Sequence, residues 1–184
     1  DAPVNLDEVK GFLRIDDNSE DALLAALVRS ASELAEAFTG QKLIARDFVE
    51  RVAAVPTWTR LSATPVLSID AVETTGGALP VTGYEIDIDA SGDGWVRIIA
   101  AAERHVSVQC RAGMAADWNG IPEALRLGIR VQDSPPPMND LLAALRLGII
   151  RLVAHLYTHR DRDDVGGVPT AVVALWRPWR RMRL

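Results

Sequence analysis

The chain has 184 residues, 48% of them hydrophobic and 24% charged, with one cysteine and a formal net charge of −5. That length supports one domain or two small ones with a real core, and a mean hydropathy of +0.07 excludes disorder over the whole chain. A single cysteine excludes an intrachain disulfide, no apolar run approaches the roughly 18 residues of a membrane span, and the acidic balance argues against a general nucleic-acid binder.

The N-terminal third reads as helical. Asp1-Ala2-Pro3 has no basic stretch leading into an apolar run, so no signal peptide is expected. Asn5-Leu6-Asp7-Glu8 is a capping-box pattern that opens a short helix to about Ile15. Asp16-Asp17-Asn18-Ser19 is a turn with an N-cap candidate, and a second helix is expected from about Ser19 to Thr39. Leu24, Leu27, Val28, Ala31, Leu34, Ala35 and Phe38 recur at helical steps as its core-facing stripe, and Gly40 is the natural stop.

The period then shifts from 3.6 to 2. Arg46 to Val55 is strand-like and Pro56 ends it; Val66 to Val72 follows, then Thr75-Gly76-Gly77 as a turn. Tyr84 to Asp89 alternates strictly, which predicts Ile86 and Ile88 toward a core and Asp87 and Asp89 toward water. Ser91-Gly92-Asp93-Gly94 is hairpin chemistry, Trp95 to Ala100 returns, and His105 to Cys110 alternates again. The block is expected to form a small antiparallel sheet with one wet face.

The last third returns to helices. Ile121-Pro122-Glu123 opens one. The hexapeptide Ala124–Ile129 recurs as Ala144–Ile149, separated by Asp133-Ser134-Pro135-Pro136-Pro137, which cannot continue a helix. Asn139 or Asp140 then caps a long helix to about His159, with Leu142, Leu145, Ile149, Leu152, Val153 and Leu156 as its stripe. Residues 161–167 read as a polar linker, and Val168-Pro169 opens a last short helix, Thr170 to Trp176.

The fold class expected is α+β: a helical bundle of two N-terminal helices and a long C-terminal helix, an inserted antiparallel sheet, and an extended C-terminal tail. The expected boundaries are 1–44 and 114–160 for the helical core, 45–113 for the sheet, and 161–184 for linker, short helix and tail.

Few groups suggest chemistry. Asp87-x-Asp89-x-Ser91-Gly92-Asp93 matches the first half of a calcium loop, but Ile98 stands where a bidentate Glu is required, so a plain hairpin is expected. His155 and His159 lie one helical turn apart without an evident third ligand, and His105 reads as a surface residue. Cys110 shares the inward side of its strand with Val106 and Val108 and reads as a small hydrophobe. Neither phosphate loops nor nucleophile elbows occur. No enzyme activity, cofactor or metal is expected.

Charge is unevenly spread. Residues 1–40 carry nine acids against three bases, whereas 151–184 carry seven arginines against three acids. In the C-terminal run Trp176 and Trp179 alternate with Arg177, Arg180, Arg181 and Arg183. Trp and Arg are the residue types enriched at binding hot spots. The run either folds back on the body with its arginines solvated or docks on another macromolecule, and docking is the expectation.

The order of elements and several local strings resemble the head–tail connector (adaptor) family of tailed phages and gene transfer agents. The strings are Leu6 to Asp16, Ser19 to Leu24, Phe38-Thr39-Gly40, Pro65 to Ile69, Tyr84 to Asp89, Arg111-Ala112-Gly113 ahead of Ile121 to Ala124, Leu152 to Tyr157, and Val168-Pro169. The resemblance spans about 6–176; the repeated hexapeptide departs from the family's pattern. It implies a structural subunit that forms a ring, a dodecamer, beneath the portal, joining capsid to tail around the DNA channel. The implied partners are other copies of the chain, the portal protein and a tail-proximal connector or stopper protein. DNA passes without specific binding, and no membrane is involved. The implied location is the capsid–tail junction of a particle assembled in the bacterial cytoplasm. By position only, the resemblance assigns portal docking to Trp176, Arg177, Trp179, Arg180, Arg181 and Arg183. Two other classes remain open: a small metal-dependent enzyme using Asp87, Asp89, His155 or His159, and a DNA-binding module using the arginine-rich tail.

Overall fold

Helix α1 spans Leu6–Leu13, and its start is fixed by Asn5. The Asn5 side chain accepts from the Asp7 amide at 3.1 Å, and Glu8 Oε2 reaches back to accept from the Asn5 amide at 3.3 Å. The helix stops earlier than its apolar pattern suggests because Arg14 adopts a left-handed conformation (φ 59°), from which the helix cannot propagate. These features come from a computed structural model that describes residues 3–115, 138–160 and 167–181, with 138–142 described by backbone alone. The helix expected at Ile121, the first hexapeptide copy, the triple-proline break, most of the polar linker, and Arg183 lie outside the described residues.

Helix α2 spans Asp21–Thr39, two residues shorter at its start than the pattern predicts. The reason is local: Asp17 Oδ1 accepts from both the amide and the hydroxyl of Ser19, which commits Ser19 to a turn. Lys10 is nearly buried, and its Nζ donates to Asn18 Oδ1 and, at 2.9 Å, to Asp21 Oδ1, tying α1 to the start of α2. Gly40, at φ 70°, supplies the left-handed stop expected of it.

Helix α3 spans Met138–Thr158 and α4 spans Thr170–Trp176, followed by a 3-10 turn, Arg177–Trp179. Met138 is already helical, so Asn139 and Asp140 sit inside the first described turn of α3 rather than capping it. α3 packs against α1, α2 and α4. The shared core holds Val9, Leu24, Val28, Ala31, Ala35, Leu145, Ile149, Leu152, Val153, Val172 and Trp176. Burying each of the larger aliphatic side chains contributes about 1.5–3 kcal/mol. The α2 stripe is narrower than expected: Leu27 is half-buried and Leu34 is 41% exposed. Polar ties complete the packing. Arg146 pairs with Glu8, the Tyr157 hydroxyl donates to Glu20, and Arg160 bonds the same Glu20 at 3.1 Å.

Residues 41–115 form a second compact unit, distinct from the helical one built from 3–40, 138–160 and 167–181. Its strands are β1 (Arg46–Ala53), β2 (Thr59–Arg60), β3 (Val66–Thr74), β4 (Gly77–Ala78), β5 (Tyr84–Ile88), β6 (Gly94–Ile98) and β7 (His105–Ala112). They make two antiparallel sheets, ordered β1-β7-β3-β4 and β2-β6-β5. Between them lies a core of Val52, Leu61, Val66, Val72, Val96, Ile98, Val106, Val108 and Cys110. β7 shows the expected alternation, with Val106, Val108 and Cys110 buried and His105 exposed. β5 does not: Ile86 and Ile88 are 43% and 38% exposed, because β5 is the outer strand of its sheet and the core does not reach past it. The mixed α+β class is as expected.

Candidate functional site

The C-terminal run begins inside the helical unit. Trp176 is fully buried. Its ring lies 5.9 Å from that of Phe38 at a tilt of 51°, and its Nε1 donates to the Leu145 carbonyl at 3.2 Å. The indole fits because α3 carries Gly148 there: a Cβ at that position would stand 2.2 Å from Trp176 Nε1. An aromatic this large with its one donor satisfied is at rest in a core. This corrects the expectation for Trp176, which has no surface to offer a partner and instead anchors the residues after it.

Those residues turn outward. Arg177 and Arg180 are exposed, and Trp179 and Arg181 are half-buried. The Arg180 guanidinium lies 5.7 Å from the centre of the Phe38 ring, a cation–π distance that still leaves the head accessible. The Arg181 amide donates to the Thr39 carbonyl at 2.9 Å, fastening the segment to the end of α2. The structure therefore brings Arg177, Trp179, Arg180 and Arg181 together on one short segment held by a buried indole. Phe38 lies on the apolar stripe expected of α2, whereas Gly148, which makes room for the indole, carries no expectation of its own beyond its place in the repeated hexapeptide. The available signal was a glycine inside an otherwise strongly helical run, which costs about 1 kcal/mol relative to alanine unless close packing requires it.

The other candidates are engaged structurally. Asp89 closes the β5–β6 hairpin: its Oδ1 accepts from the amides of Ser91 (2.8 Å) and Asp93 (3.0 Å), and its Oδ2 from Trp95 Nε1 (3.0 Å). Asp93 Oδ1 accepts from Arg60 and Thr64 Oγ1, each at 2.9 Å. These carboxylates organise a turn and pair with a cation. His159 Nδ1 donates to the His155 carbonyl at 2.8 Å, and the two rings stand 4.3 Å apart. Desolvation, helped by His159, lowers the His155 pKa from its ordinary value. Asp87 and Asp89 belong to the sheet unit and the two histidines to the helical one. Among the described residues, no three His, Cys, Asp or Glu side chains assemble in a way that could hold a metal. Cys110 is buried, and desolvation, with the charges of Glu50 and Asp70, pushes its thiol up to about 11, so little thiolate forms at neutral pH.

The family model for phage gp6-like head-tail connector proteins matches residues 3–70. That stretch runs from the α1 cap through both N-terminal helices into β3, and the match bears out the resemblance read from the residues. Solved structures extend the likeness to nearly the whole chain. The fold matches a chain in the neck of an empty gene transfer agent particle computed with C6 symmetry at TM-score 0.71 and 22% identity, covering 99% of this chain and 91% of that one. A chain of the native particle's neck computed with C12 symmetry matches at TM-score 0.69 and 21% identity, over the same shares. A chain of the native gene transfer agent virion matches at 0.68 and 22%, again over 99% and 91%. No curated protein matches the chain in sequence.

Proposed function

We propose that this chain is a structural head–tail connector subunit of a phage or phage-like particle such as a gene transfer agent. Copies form a ring, a dodecamer, at the capsid–tail junction, with DNA passing through its channel. The observation that carries this reading is the agreement of two independent likenesses: residues 3–70 match the connector family, and the whole fold matches chains of a particle neck. The assignment of a helical core and an inserted sheet unit to one working subunit, and the absence of catalysis, belong to the same reading.

The segment Arg177, Trp179, Arg180 and Arg181, continued by Arg183, docks on the portal protein, while a tail-proximal connector or stopper meets the ring elsewhere. Supporting this are the exposure of Arg177 and Arg180 and the buried Trp176 that fixes where they emerge. Guanidinium groups suit an acidic protein groove because they bond carboxylates with two parallel donors. The reading is tested by Arg177→Glu with Arg180→Glu in the particle-producing strain. The variant is expected to fold with an unchanged unfolding midpoint yet yield heads without tails. Tailed particles at the normal yield would overturn the docking role.

A further inference from the structure

β5 ends its sheet: among the described residues, no strand pairs with it on the side away from β6. In an antiparallel ladder, residues alternate between those that bond the partner strand and those whose backbone groups point away. The Asp89 amide donates to the Asp93 carbonyl at 3.0 Å, which fixes the phase, so Ile88 and Ile86 aim their N–H and C=O groups outward. The far side of β6 shows the same phase. Gly94, opposite Ile88, accepts from the Leu61 amide at 2.8 Å, and Ile98, opposite Tyr84, donates to the Val55 carbonyl at 3.0 Å.

Residues directly opposite each other on paired strands share a face. Ile86 and Ile88 therefore stand on the face of buried Val96 and Gly94, as an uncovered continuation of the core. Val81 and Ile99, 77% and 54% exposed, flank the strand, so four of the nine large exposed hydrophobics among the described residues gather around β5. The other long outer strand, β1, has one exposed large hydrophobic, Val49, set among more charges. It carries Arg46, Asp47 and Arg51, and Glu50 is folded onto the amides of Ser62 (2.7 Å) and Ala63 (2.6 Å). Charge blunts an open edge, and an apolar edge invites another strand.

We propose that the open edge of β5 is a contact between neighbouring copies of this chain: an extended segment of the next copy adds a strand there and covers Ile86 and Ile88. The inference rests on the ring reading above, which sets copies side by side. It gives a role to two exposed isoleucines on one open edge, where β1 shows a single exposed Val49 among four charged residues. A closed ring of more than two copies uses heterologous contacts, so β5 meets a different segment of its neighbour and never another β5. The exposed carboxylate of Asp87, on the opposite face, selects against an acidic segment.

The test places a photoreactive phenylalanine analogue at Ile88 in the full chain, produced in particle-forming cells and irradiated in purified particles. The expected product has twice the chain's mass, with the cross-link mapped to a segment outside Tyr84–Ile88 of the second copy. Ile86→Lys with Ile88→Lys is expected to retain the unfolding midpoint and lose incorporation into particles. Incorporation of the lysine variant at the wild-type level, a cross-link only to a different protein, a β5-to-β5 product, or no product from incorporated chain overturns the proposal and leaves the connector reading standing. Absence of the wild-type chain from purified particles overturns both.

Discussion

Gly148→Ala is the sharpest test of how the C-terminal segment is held. The new Cβ would stand 2.2 Å from Trp176 Nε1 and 2.8 Å from its Cδ1, so the indole must move. Forcing atoms into a packed core costs about 1–3 kcal/mol. Displacing Nε1 also endangers its bond to the Leu145 carbonyl, a further cost of about 1 kcal/mol. Against this, alanine is better than glycine inside a helix by about 1 kcal/mol. The net expectation is a loss of about 1–3 kcal/mol, or a midpoint lower by about 3–10 °C for a chain of this size. Thermal and urea unfolding followed by circular dichroism measure it. In a Trp176→Leu background the clash is gone, so the same substitution is expected to stabilise by about 1 kcal/mol. A higher midpoint for Gly148→Ala alone, or an equal cost in both backgrounds, would refute the close-packed seat.

Two further expectations concern protons. The hydrogen bond from Arg146 holds the Glu8 carboxyl below its ordinary pKa, so its stabilising contribution is present at neutral pH and fades as pH falls below about 4.5. Unfolding midpoints measured from pH 6 to pH 3 are expected to fall less steeply for Glu8→Gln than for the wild type; parallel curves would contradict the pairing. Burial first, and His159 second, lower the pKa of His155, so stability tied to its neutral form is present above about pH 6.5 and is lost as pH falls through the lowered value. Nuclear magnetic resonance titration of His159→Gln is expected to move the His155 midpoint only partway back toward the ordinary value, and full restoration would show that the neighbouring charge rather than burial is the cause.

Local physics was legible where one contact decides the outcome. The capping box at Asn5, the left-handed Gly40 and the alternating burial of β7 all follow from neighbours a few residues apart. Ile86 and Ile88 show the limit: alternation fixes which face a side chain takes, but how deeply that face is covered depends on strand order, which is non-local. Arg14 ended α1 through a backbone conformation that its composition does not announce. Trp176 looked like a docking residue because Trp beside Arg suits interfaces. Its burial depends on Phe38 and Gly148, partners distant in sequence that only the packed helices bring together. The sequence thus located the cationic segment but not which of its members anchors it.

The bond from the Arg181 amide to the Thr39 carbonyl gives the segment after α4 a second attachment, besides the covalent path back through that helix. A pull on Arg181 is divided between that bond, which leads into the last turn of α2, and the wedge of the indole between Phe38 of α2 and Gly148 of α3. Tension therefore enters α2 and α3 from the side, as on a guyed mast, instead of unzipping α4 from its tip.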